Sequence, residues 1–239
     1  MAQGLLDLFN RSLGAAFVTG VAQRLGETEA PIRLALDGLL PVLLGCMAQR
    51  GASAEGAQSL IRTIASVPLD PGMVAAPARL LAEDTGALER LTTMGPGILG
   101  FLLGNQAGRL AGAVAQVSGI RVSSASWLAP FVTALMCAVL SKEVQAKKLD
   151  AIGVQAMLGE QREVLQESLD RRILAALGVT SLNGYLAEVT GSAKDGPSTI
   201  ELAEQAGVPP VRAKTPFSGS LSWIALVLVV VMVWWLVRG

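Results

Sequence analysis

The sequence predicts an all-α fold, and three observations predict it. Apolar residues recur at three- and four-residue steps over most of the chain. Nowhere do they alternate with polar residues as a half-buried strand requires. Ser, Thr, Gly and Pro stand where helices start and stop.

Leu5, Leu6, Leu8, Phe9, Leu13, Phe17 and Val21 predict one amphipathic helix closing at Leu25-Gly26. Thr28 is placed to cap the next, with Pro31 in its first turn, where a missing N–H costs nothing. This second helix carries Ile32, Leu34, Leu36, Leu39, Leu40, Val42, Leu43 and Leu44 on all sides, so it must be largely buried. Pro41 inside it is expected to kink it or split it. Gln49-Arg50-Gly51 ends it, and Ser53 caps a third helix through Leu60, Ile61 and Ile64 to Val67. Asp70-Pro71-Gly72 reads as a turn, followed by short helices over 73–81 and 87–94. Gly95-Pro96-Gly97 reads as the start of a segment that closes at Ser118-Gly119.

Ser123 or Ser124 then caps a long helix carrying Trp127, Leu128, Phe131, Val132, Leu135, Met136, Val139 and Leu140, with Pro130 inside. Its polar tail holds Lys142, Glu143, Lys147 and Lys148. A short helix ends near Leu158-Gly159. Over 160–177, Leu165, Leu169, Ile173 and Leu177 make one apolar stripe, with Glu167 and Arg171 placed to pair. Residues 182–189 add a last helical piece. The apolar runs 34–47 (broken by Asp37) and 127–140 are short for a membrane span, which needs about 17–25 residues, and suit buried core helices, with conditional membrane insertion as the less favoured alternative.

Two stretches repeat one pattern. Val21-Ala22-Gln23 leads to Gly26, a capped apolar helix with Pro41, then Cys46-Met47. Val114-Ala115-Gln116 leads to Gly119, a capped apolar helix with Pro130, then Met136-Cys137. A pseudo-repeat follows, about 1–66 and 96–149, with its two proline-bent helices packed centrally and a helical extension over 150–190. Residues 1–190 thus form one helical domain.

Residues 191–220 are rich in Gly, Ser, Thr, Pro and Lys and read as a mostly extended tether, with a short helix over 199–206. Residues 221–237 carry no charge before Arg238. That run is long enough to cross a hydrocarbon core of roughly 30 Å, so 221–238 reads as a transmembrane helix. Trp223 at one end and Trp234 with Trp235 at the other fall where indoles favour the membrane–water boundary. The N-terminal residues lack a basic segment followed by an apolar one and do not look like a secretory signal. A span near the end of the chain inserts after synthesis, and Arg212 and Lys214 before it against Arg238 after it lean the same way. The expected location is a bacterial inner membrane, single-pass, with the N-terminal domain in the cytoplasm.

Composition narrows the chemistry. There are 19 basic and 19 acidic residues, so no net field favours nucleic acid. The apolar helices carry almost no Lys or Arg to meet phosphates, so DNA binding is not expected despite a helical fold. Histidine is absent, which removes the commonest general base and metal ligand. The acidic residues, Glu160, Glu163 and Glu167 among them, read as solvated faces, and no phosphate-binding glycine loop is present. Cys46 and Cys137 sit in apolar helical runs and read as small buried hydrophobes without a disulfide framework. No enzyme activity, catalytic residue, metal or cofactor is expected.

The most unusual pattern is Gly100, Gly104, Gly108 and Gly112 at four-residue intervals. On one continuous helix they form a bare groove that lets another backbone approach, suited to self-association. The alternative makes Gly104 a helix C-cap and Asn105 the next N-cap, leaving Gly108 and Gly112 small on one face; it is favoured.

The order LLDLF, VAQRLG, LLPVLLG, GILGFLLGNQAG, VAQVSG, LAPFVTALM and LDAIGVQAMLGEQ resembles the YidB-like family of bacterial proteins, whose function is unknown, over about residues 1–160. The resemblance implies a homeodomain-like helical fold and brings no catalytic residues. The expected function is therefore a tail-anchored scaffold whose domain forms a homo-oligomer at the lipid bilayer or holds a protein partner there. The alternative is a monomeric adaptor presenting a groove.

Overall fold

The computed structural model describes residues 4–67, 76–82, 86–161, 165, 168, 171–181 and 183–187. The chain divides into two units, 1–196 and 197–239, and every described residue lies in the first. Within it the described residues are helical or turn, with no strand. The tether, Trp223, Trp234, Trp235 and Arg238 lie outside the described residues, as do Asp70-Pro71-Gly72 and Glu167.

The predicted first helix is two, α1 (Leu5–Ser12) and α2 (Ala15–Leu25), because Gly14 is extended between them. The apolar stripe runs unbroken in sequence through Leu13 and Phe17, both buried, and so hid the break. The N-terminus of α1 is satisfied from far away: Leu5 N–H donates to Oε1 of the buried Gln161 at 2.9 Å. Helix α2 ends at Gly26, left-handed at φ 61°, a conformation that costs glycine no Cβ clash.

Helix α3 (Glu29–Arg50) runs through Pro41 without splitting. Thr28 stands at its N-cap, but its side chain makes no capping bond. Every residue from Gly38 to Ala48 is buried, as an all-round apolar helix requires. Helix α4 (Ala54–Ala65) is capped as expected, Ser53 Oγ accepting from Gly56 N–H at 3.1 Å. The helix expected over 73–81 is described only as the single turn α5 (Arg79–Ala82).

Helix α6 (Gly86–Leu103) corrects the reading of Pro96. Gly95-Pro96-Gly97 does not start a helix; it lies inside one that began ten residues earlier at Gly86. Residues 104–106 make one tight turn, with Gly104 left-handed at φ 57°, and α7 (Ala107–Ser118) follows. It ends at Gly119, left-handed at φ 81°. Helix α8 (Val122–Ala146) has Arg121 at its N-cap rather than Ser123 or Ser124, and also runs unbroken through its proline, Pro130. Asp150 caps α9 (Ala151–Gly159), accepting from Gly153 N–H at 2.8 Å. After it come α10 (Arg171–Ala176) and a helical turn at 183–187.

Helices α3 and α8 are the core, but they touch each other only lightly. Helix α7 lies against both, α6 packs most closely on α8, and α4 lies against α8 and α9. Phe17 of α2 stacks on Phe131 of α8 at 6.1 Å between centroids, and Trp127 tilts onto Phe131 at 4.7 Å. Arg24 covers Trp127 from outside, 5.7 Å from the ring centroid.

Candidate functional surface

Helix α6 brings its backbone against that of α8 at Gly95. A Cβ built on Gly95 would stand 2.5 Å from the Pro130 carbonyl oxygen and 2.8 Å from its carbon. Only glycine allows that approach. Sequence reasoning picked Pro130 but missed Gly95, because a Gly-Pro-Gly triplet reads locally as a turn.

The four glycines at regular spacing do not share one helix. Gly104 turns the chain, in line with the favoured alternative, although Asn105 is not the N-cap of α7; that position is Gln106. The other three behave alike. A Cβ on Gly100, Gly108 or Gly112 would meet nothing within 4 Å, and the same holds for Gly97. Gly108 and Gly112 lie one turn apart on α7, Gly97 and Gly100 one turn apart on α6. These glycines pack against no other part of the described chain.

One polar constellation joins distant segments. Glu27 follows Gly26 and Arg121 follows Gly119-Ile120, so each stands just after a left-handed glycine turn. Glu27 Oε1 accepts from Ser124 Oγ at 2.6 Å, from Arg121 Nε at 2.9 Å and from Arg121 N–H at 3.1 Å. The Arg121 guanidinium also donates to the Leu25 carbonyl. These bonds, that of the Ser124 hydroxyl first, hold the Glu27 carboxyl at about 2, well below its ordinary value. The pair lies 94 residues apart, and no sequence signal joins it. Arg109, the other arginine of this region, donates to Gln106 Oε1 and to the Leu177 carbonyl. Arg50 donates to the Leu102 carbonyl at 3.4 Å and lies over the Phe101 ring at 5.3 Å.

Among the described residues no cluster of three or more His, Cys, Asp or Glu is placed to hold a metal. Cys46 and Cys137 are buried. Among the described residues this surface offers bare helix faces and the Glu27–Arg121 clasp.

No curated protein and no solved structure matches the chain. Residues 7–143 match a family described as bacterial proteins of unknown function, DUF937. That match takes in every helix from α2 to α7, most of α8, Glu27, Arg121 and all four regularly spaced glycines. With more than half its length covered, the chain belongs to the DUF937 family, the YidB-like bacterial proteins.

Proposed function

We propose that this is a tail-anchored membrane protein whose helical domain, residues 1–190, is a self-associating scaffold on the cytoplasmic face of a bacterial inner membrane. The observation that carries self-association is the open space over Gly97, Gly100, Gly108 and Gly112. Glycine in a helix interior costs roughly 0.5–1 kcal/mol relative to Ala, so four of them on uncovered faces spend stability with no return inside the chain. A second copy laid on those faces supplies the return, since small residues let two backbones come close. Membrane attachment rests on the uncharged run 221–237 with its flanking tryptophans, joined through the tether 191–220. The arrangement of helix, left-handed glycine and proline-containing helix at Gly26/Pro41 and Gly119/Pro130 supports a duplicated unit. The scaffold has no catalytic role and binds neither cofactor nor nucleic acid.

Light scattering on residues 1–196 across a range of concentrations tests the scaffold. A defined oligomer that Gly108→Leu and Gly112→Leu convert to a folded monomer is the expected result. A wild-type monomer throughout overturns self-association and leaves the adaptor, in which the same faces meet a different protein. Resistance of the full chain to carbonate extraction from membranes tests the anchor separately.

A further inference from the structure

Residues 91–141 are 51 consecutive positions with two charged side chains, Arg109 and Arg121. At the usual quarter of residues charged, about a dozen would be expected. Burial of the core accounts for only part of this. Of the exposed positions of the stretch, Arg109 and Arg121 carry charge, while Thr93, Pro96, Gly97, Asn105, Gly108 and Gln116 do not. A domain that only ever meets water places Lys and Glu at such sites.

Within the stretch, α8 has the dimensions of a bilayer span. It is a 25-residue helix in which an 18-residue stretch has mean hydropathy 1.6, 72% of that stretch being buried in the closed domain. Residues 122–141 contain no charge and are bounded by Arg121 and Lys142. Twenty residues at 1.5 Å rise cover about 30 Å, the thickness of a hydrocarbon core. Helix α3 has similar hydropathy, 1.5, but carries Arg33 and Asp37 in its first half. In α8 the buried Thr133 hydroxyl is satisfied within the helix by the Ala129 carbonyl at 2.7 Å, so it takes no unmet polar group into lipid.

Both charges of the stretch reach outside it. Arg121 and Ser124, at the start of α8, are tied to Glu27 and Leu25 on the turn before α3. Arg109 is tied to the Leu177 carbonyl. Arg121 thus links the stretch to the rest of the domain, while Arg109 bonds both within it, to Gln106, and beyond it, to Leu177.

We propose that α8 is a stored transmembrane segment, which leaves the core and crosses a lipid bilayer when the Glu27–Arg121 clasp opens. In the closed domain its apolar sides are covered by α6, α7 and α4; in the open one, hydrocarbon covers them. Arg121 and Lys142 then sit at the two headgroup layers, where long basic side chains reach water. The inference does not depend on the C-terminal anchor, because the span and its clasp lie wholly within the helical domain.

The test uses the full chain with Trp223→Phe, Trp234→Phe and Trp235→Phe, which leaves Trp127 as the one indole. Trp127 lies five residues into the uncharged stretch, about 8 Å below its start at 1.5 Å per residue, so the quencher is bromine in the upper acyl chain. Vesicles of phosphatidylethanolamine and phosphatidylglycerol carry it. With the clasp intact, Trp127 is expected to stay unquenched. In Arg121→Ala, and in the milder Glu27→Gln, its emission moves to the blue and loses most of its intensity to brominated lipid. The exchanged pair Glu27→Arg with Arg121→Glu restores the unquenched state. Emission that shifts to the red without quenching means the domain opens into water and overturns the proposal, as does an unquenched signal in all variants. Quenching as strong in the parent chain as in the clasp variants overturns Glu27–Arg121 as the restraint. Co-sedimentation of the clasp-intact chain, with Trp127 unquenched, reports the C-terminal anchor alone, so failure of either span is read apart from the other.

Discussion

At Gly95 a single methyl group decides whether two helices can meet. A Cβ there would run into Pro130 backbone, which has no flexible end to move aside. Gly95→Ala should therefore separate α6 from α8 and lower stability by about 1–3 kcal/mol, the usual cost of overpacking a core. Gly97→Ala and Gly100→Ala, two and five residues along the same helix, have open space and should raise it by roughly 0.5–1 kcal/mol. Urea unfolding of the three variants separates the two classes of glycine. The Glu27 carboxylate makes a second prediction. Its folded value of about 2 lies below the ordinary 4.5, so its contribution is fully present above pH 4.5 and is lost as pH falls through about 2. The melting-temperature gap between wild type and Glu27→Gln should hold steady above pH 4.5 and close below it, as followed by circular dichroism.

Among the helices, those whose design is local were legible and those settled by a distant partner were not. The all-round apolar pattern of α3 and α8 requires that both be covered on every side, and both are buried along their middles. The cap at Ser53 depends on a neighbour three residues away and could be read. Gly14 breaks a helix that the apolar spacing continues through, so the spacing concealed it. Pro96 lies mid-helix because α8 pins Gly95 beside it, a contact that nothing in residues 86–103 reveals. The same logic gives a prediction about chemistry. Cys46 and Cys137 each lie within unbroken buried runs of their helices. Both thiols should be silent to Ellman's reagent in the native protein and react together on unfolding.

For the whole molecule, the long-range polar links are the part sequence could not supply. Glu27 with Arg121 and Arg109 with the Leu177 carbonyl lie 94 and 68 residues apart. A charge run or a motif has a spacing to recognise; a lone pair of ions brought together by packing has none. The regularly spaced glycines were visible, but their division into one turn and three open positions required the fold. The scarcity of charge over 91–141 was plainly written, yet its meaning changes once exposed positions such as Thr93, Asn105 and Gln116 are seen to be uncharged as well.

The bond from Leu5 to Gln161 sets an order of events during synthesis. Helix α1 leaves the ribosome well before its partner, since the acceptor for its opening N–H is made 156 residues later. Until then that end of α1 has only water to bond to, and Phe9 waits for the core that buries it. Helix α1 thus docks long after it is made, and a nascent chain stalled before Gln161 carries a loose α1 for a chaperone or protease to find.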